Sequence, residues 1–225
     1  MRYTIDGTAC KFILGRPIVP FGKETKVFRI DTIFEAIFLI GFVIGSVIRK
    51  IYTAPYRHSK AVKKQKSTLD IILVSLAGIG LIMPLVYLFT PWLDFANYAL
   101  PQWCGWIGTV VFAGAIFMLW RSHADLGRNW SATLRITGQH SLVTSGVYHY
   151  IRHPMYTAHL LWAIAQGLLL SNWLAGWAFL VLSVPLYIVR IPKEEQMMLD
   201  HFGEEYRAYQ SQTGRLIPCK IVNRK

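Results

Sequence analysis

The chain has 225 residues, 53% of them hydrophobic and only 16% charged, and its mean hydropathy is +0.35. A soluble domain carries about 25% charged residues, so the composition excludes an ordinary soluble protein and points to the membrane. The net charge of +12 raises nucleic acid as a partner, but the 24 Lys and Arg fall in four blocks, 1–29, 49–66, 121–152 and 190–225, with none in 67–120 or 153–189. Charge written in blocks between apolar segments is membrane topology, and basic blocks at a membrane surface suit anionic lipid. Nucleic acid is therefore not expected as a partner.

Residues 1–29 mix charges, Gly and Pro with short β-like runs, and are expected to form a surface arm. They lack the basic, apolar and small-residue order of a signal peptide. The rest, 30–225, is expected to be one membrane domain. A helix needs about 20 apolar residues to cross the hydrocarbon, and five segments approach or meet that length. The first is 32–51, with Asp31 and Glu35 suited to a helix N-terminus and Gly41 and Gly45 as a small-xxx-small face for another helix. The second is 69–90, with Pro84 inside it. The third is 103–120, with Trp103, Trp106 and Trp120 as interfacial anchors. The fourth is 154–170 and the fifth 173–191, and the Ser171-Asn172 turn between them makes an antiparallel hairpin.

The basic loops put 49–68, 121–153 and the C-terminus on one side, by inference the cytoplasmic one. Five spans leave the N-terminus outside, which its basic residues fit poorly. After Pro192 the sequence KEEQMMLDHFGEEYRAYQS reads as a separate short amphipathic helix. Leu199, Phe202, Tyr206 and Tyr209 share its apolar face, and Gly203 weakens its middle.

The polar stretch 138–156, GQHSLVTSGVYHYIRHPMY, is the most informative part of the chain. Pro154 fits the first turn of a helix, and the residue before a proline is pushed towards extended geometry. Arg152 and His153 are thus placed at a loop-to-helix junction, where free N–H groups face outward. On the residues alone, His153 and Tyr156 are either interfacial anchors or pocket groups. His159 and Gln166 either line a cavity or bond a neighbouring helix. Arg190 and Glu194 are either a helical ion pair or paired charges at a cavity rim, and periodicity does not choose between Glu194 and Glu195. The three cysteines, Cys10, Cys104 and Cys219, have neither disulfide nor metal spacing, and no metal site is expected. Dinucleotide, phosphate-loop, zinc-protease and nucleophile-elbow motifs are all missing from the sequence.

The ordered motifs LVTSGVY, RHPMY, a helical hairpin, KEEQMML and HFGEEYRAY resemble the isoprenylcysteine carboxyl methyltransferases over roughly 126–218. The resemblance implies an all-α integral membrane enzyme that uses S-adenosylmethionine. Its C-terminal amphipathic helix would cap a cofactor pocket on the cytoplasmic side. It implies that His140, Ser141, Leu142 and Val143 hold the cofactor, completed by Tyr148, His153, Pro154, Met155, Tyr156 and Glu194. Arg190 would face the substrate carboxylate. The family also uses a glutamine upstream of the His140 position; here that neighbourhood reads SATLRIT, with Thr133 nearest. The implied acceptor is lipophilic and enters from the bilayer, best the α-carboxylate of a prenylated cysteine, with no obligate protein partner. Phospholipid amines and thiols are the alternative acceptors. A nicotinamide-dependent sterol-type reductase and a non-enzymatic lipid-binding scaffold are the alternative classes.

Overall fold

The structure is a computed structural model and describes residues 30–54, 68–127 and 141–218. The expectations for 1–29 and for His140 lie outside the described residues.

Among the described residues six α-helices follow in order: α1 (Ile33–Thr53), α2 (Thr68–Phe89), α3 (Gln102–Leu126), α4 (Pro154–Leu170), α5 (Trp173–Phe202) and α6 (Glu204–Gln212). Among the described residues α2, α3 and α5 are long and apolar enough to cross a membrane. Many of their large apolar side chains face outward, such as Val110, Phe117, Val181 and Ile188. Exposed aliphatic surface on this scale is explained by lipid.

The start of α1 is a capping box. Thr32 Oγ1 accepts from the Glu35 N–H at 3.2 Å, and Glu35 Oε2 accepts from the Asp31 and Thr32 N–H groups at 2.8 and 3.2 Å. Glu35 is also buried, and Tyr87 of α2 donates its hydroxyl to Glu35 Oε1 at 3.3 Å. A residue satisfying free helix donors thus ties two helices together. The packed face of α1 carries Gly41 and Gly45. A Cβ on Gly41 would lie 2.2 Å from the Phe112 ring, and one on Gly45 would lie 2.5 Å from the Trp162 ring. The missing side chains let α1 sit against α3 and α4, where Phe38 stacks on Phe112 at 5.4 Å and Phe112 meets Trp162 edge-on at 4.8 Å.

The α4–α5 hairpin turns on Ser171, in left-handed geometry, and Asn172. Asn172 Oδ1 caps α5 by accepting from the N–H groups of Leu174 and Ala175, while its amide donates to Leu93 O and Asn97 Oδ1. Tyr98 N–H donates to Ser171 O, and its hydroxyl donates to Gly167 O at 2.6 Å. The 91–101 connector is therefore bolted to the hairpin turn. Gln166 bonds neighbouring backbone: its amide donates to Ala175 O at 2.7 Å.

One expectation needs correction. The amphipathic segment does not begin as a separate helix after Pro192. Helix α5 runs unbroken through Pro185 and Pro192 to Phe202 and stops at Gly203, whose φ is +55°. A proline inside a helix removes one hydrogen bond and crowds one carbonyl. A packed membrane helix tolerates that loss, whereas a positive φ ends the helical path. The apolar face itself is as read: Tyr206 is buried and meets Tyr209 at 5.9 Å, while Asp200, Glu204 and Glu205 are exposed.

Candidate active site

The site forms where the loop 141–153 meets the ends of α3, α4, α5 and α6. Its first anchor is Gly146, with φ +62°, where an added Cβ would lie 2.2 Å from Asp125 Oδ2. This close approach lets Val147 N–H donate to Asp125 Oδ2 at 2.9 Å, while Arg121 holds Asp125 Oδ1 at 2.6 Å. Tyr148 is buried. Its hydroxyl donates to Ser122 O at 3.2 Å, and its carbonyl accepts from the Tyr209 hydroxyl at 2.5 Å. Burial, reinforced by the neighbouring phenol of Tyr209 and by Asp125, pushes the Tyr148 phenol far above the usual range, so it remains a donor. Burial likewise raises Tyr209 and pushes Tyr206 up to about 12.

A second anchor is the C-terminal segment. Residues Ile151 and Gly214 pair as a short parallel bridge. Arg152 N–H donates to Gly214 O at 2.8 Å, His153 N–H to Arg215 O at 3.0 Å, and Thr157 Oγ1 to Leu216 O at 2.7 Å. Arg152 also donates through Nη1 to the carbonyls of Thr213 and Gln210. Residues 213–216 thus strap the loop at the mouth of α4, where Pro154 occupies the first turn.

The charged groups converge between these anchors. The Tyr156 hydroxyl donates to Glu194 Oε1 at 2.5 Å, and Arg190 Nε meets the same oxygen at 3.3 Å. Glu194 Oε2 faces His153 Nδ1 at 3.6 Å. On the other edge of the imidazole, His153 Nε2 lies 3.2 Å from Glu195 Oε1. Glu195 is also held by Arg152, with Nη2 at 3.0 Å, and by Arg215, with Nη2 at 2.5 Å from Oε2. The hydrogen bond to Glu195 raises the Arg215 guanidinium further. Tyr156 packs on Tyr187, ring centroids 4.8 Å apart. The side chains of Arg190 and Glu194 are 20% and 23% exposed against 5% for Glu195, so the first pair is partly exposed and Glu195 is enclosed.

Helix geometry explains the division between the adjacent glutamates. Neighbouring helical residues point about 100° apart, so Glu194 takes the Tyr156–Arg190 side and Glu195 the Arg152–Arg215 side. His153 sits between them.

Of the residues singled out in the sequence, the fold brings His153, Tyr156, Arg190 and Glu194 into one network. Pro154 is buried beneath it, and Met155 follows on the first turn of α4, half-buried. Tyr148 supports the loop from behind. Leu142 lines a different cleft, of about 380 Å³, with Thr144, His149, Tyr150, Tyr209 and Thr213. Ser141 is exposed and Val143 half-buried beside it. Sequence reasoning left Glu195 open beside Glu194 and missed Arg152, Arg215 and Asp125 as organising groups. Only the glycine of TSGVY hinted at the Asp125 contact.

Residues 106–200 match the family profile described as the isoprenylcysteine carboxyl methyltransferase (ICMT) family. A probable protein-S-isoprenylcysteine O-methyltransferase of Oryza sativa subsp. indica is 39% identical over 85 residues, which are 37% of this chain and 44% of that protein. The protein-S-isoprenylcysteine O-methyltransferase of Tribolium castaneum is 40% identical over 82 residues, 36% of this chain and 29% of that protein. The match therefore spans less than half the length of these relatives. The solved structure of a eukaryotic intramembrane Ras methyltransferase, ICMT, superposes with a TM-score of 0.52 at 24% identity, covering 82% of this chain and 64% of that one. It shows the same membrane fold. The profile, the relatives and the fold agree with the motifs, and the family that residues 106–200 resemble is the isoprenylcysteine carboxyl methyltransferases.

Proposed function

We propose that this chain is an integral membrane methyltransferase that moves a methyl group from S-adenosylmethionine to a lipophilic acceptor, best the α-carboxylate of a prenylated cysteine. The observation that carries this is the open Tyr156–Glu194–Arg190 group beside His153, set at the mouth of the α4–α5 hairpin. It lies within the segment that matches the family.

The residues fit such a cofactor. Glu194 is partly open, its Oε1 is fixed by Tyr156 and Arg190, and its Oε2 meets His153 Nδ1 only beyond hydrogen-bond length, so it retains accepting capacity for a bound donor group. When bound, S-adenosylmethionine supplies an electrophilic methyl on a sulfonium. A carboxylate acceptor is already ionised near neutral pH, so the residues need not remove a proton. Arg190 suits it, because a guanidinium can bind a carboxylate through two donors. Around the two glutamates stand three guanidiniums, Arg152, Arg190 and Arg215, so the ionic balance favours an anion. The residues' main work is alignment and exclusion of water, and orientation of this kind can be worth roughly 7–11 kcal/mol.

In this reading α1 and α4 complete five crossings and α6 covers the site. His140, Ser141, Leu142, Val143, Tyr148, Pro154 and Met155 complete the cofactor site as the family resemblance implies. The basic blocks put the site at the cytoplasmic face, with 1–29 as a surface arm and 126–218 as the catalytic core.

The test is transfer from methyl-labelled cofactor in proteoliposomes, with an S-prenylated cysteine bearing a free α-carboxylate and with its amide. Label in the first alone, released by mild base as methanol, is the expected result. Base-stable label would move the acceptor to a phospholipid amine or a thiol. Binding of a reduced nicotinamide dinucleotide phosphate without any methyl transfer would overturn the assignment.

A further inference from the structure

We propose that Glu195 is the positioning residue of this site. It fixes His153 as the Nε2–H tautomer, so that His153 Nδ1 and Glu194 Oε2 form a paired acceptor for a donor group of the ligand. The identity of that ligand rests on the methyl-donor reading above; the tautomer does not.

The geometry leads there in three steps. Glu195 is paired with both Arg152 and Arg215, at 3.0 and 2.5 Å, and a carboxylate held by two guanidiniums acts as an acceptor only. His153 Nε2, 3.2 Å from Glu195 Oε1, must therefore donate. In neutral imidazole the other nitrogen is then an acceptor. That nitrogen, Nδ1, lies 3.6 Å from Glu194 Oε2, longer than a hydrogen bond. A ligand group set to one side of the pair, about 2.8 Å from each atom, donates to both. On S-adenosylmethionine such a group is the α-ammonium, or the ribose diol donating one hydroxyl to each acceptor. The His153 backbone is fixed by the bond from its N–H to Arg215 O at 3.0 Å, and its ring, 9% exposed, packs beside Tyr156 at 5.7 Å. Arg215 thereby holds His153 twice, once through its carbonyl and once through Glu195.

The experiment is nitrogen NMR of histidine-labelled protein in detergent, paired with calorimetric titration of S-adenosylhomocysteine. In the resting protein His153 should show a protonated Nε2 and a bare Nδ1. The ligand should shift the Nδ1 signal towards a hydrogen-bonded acceptor, and an α-N-acetylated or a 2′-deoxy analogue identifies which donor is used by failing to do so. Glu195→Gln should mix the two tautomers and weaken binding at least tenfold, and Glu195→Asp should restore the Nε2–H form. Should Glu195→Gln not fold, Arg215→Gln, altering a half-exposed side chain, should move both readouts in the same direction by a smaller amount. Doubly protonated His153 or an Nδ1–H tautomer in the resting protein overturns the proposal. So do unchanged ring signals and affinity in the foldable variant. If the tautomer holds but S-adenosylhomocysteine does not bind, the cofactor assignment fails and the positioning role stands.

Discussion

Replacing Tyr156 with Phe isolates one interaction at the centre of the site. The variant keeps the ring that packs on Tyr187 at 4.8 Å and beside His153 at 5.7 Å. It loses only the hydroxyl that donates to Glu194 Oε1 at 2.5 Å. A hydrogen bond to a charged group is worth about 1.5–3 kcal/mol. Glu194 remains 23% exposed and keeps Arg190 at 3.3 Å, so water and the guanidinium recover part of the loss and the lower end applies. At about 1.5 kcal/mol, S-adenosylhomocysteine should bind roughly tenfold more weakly. The thermal midpoint should fall by only a few degrees, because the apolar packing is intact. Calorimetry on Tyr156→Phe, Glu194→Gln and the double variant closes the cycle, and the two changes should be coupled by about 1 kcal/mol or more. Additive effects, or an affinity within twofold of the parent, would refute the view that Tyr156 acts by orienting Glu194.

Other outcomes follow from the same structure. Gly146→Ala forces a Cβ against Asp125 at a positive φ, and should cost about 1–2 kcal/mol, read as a lower thermal midpoint in detergent. Asn172→Ala removes the α5 cap and the bonds to Leu93 and Asn97; a loss of about 1–3 kcal/mol is expected in the same melt. Arg190→Lys keeps the charge but not the two-pronged fork. It should raise the acceptor KM about tenfold while leaving S-adenosylhomocysteine affinity within threefold, measured by transfer assay and calorimetry.

Much of this architecture was legible in the chain. The start of α4 was fixed by Pro154 and its end by Ser171-Asn172, because each residue constrains the backbone locally. Glu35 was legible as a helix-start acid, and its bond to Tyr87 was not, since no local pattern marks a contact 52 residues away. Pro192 misled because proline's penalty is local and a long packed helix absorbs it, while Gly203 carried the true break. The two glutamates could not be ranked by phase, because both reach the site from different sides of His153. Arg215 looked like an ordinary residue of a basic tail until the chain brought it back against Arg152 and His153. His153, Tyr156, Arg190 and Glu194 are candidates on the residues alone; the family resemblance implies their roles, and the fold sets them within reach of one another.

The length of α5 has a kinetic consequence. Its 30 residues extend about 45 Å at 1.5 Å per residue, while the hydrocarbon layer is about 30 Å thick. With Trp173 at one interface, Glu194 falls roughly 32 Å further on at that rise, at the opposite water boundary. A methyl acceptor dissolved in lipid would meet the site at a phase boundary. Turnover should then track the acceptor's mole fraction in the bilayer and fall on surface dilution with inert lipid, even at constant bulk concentration.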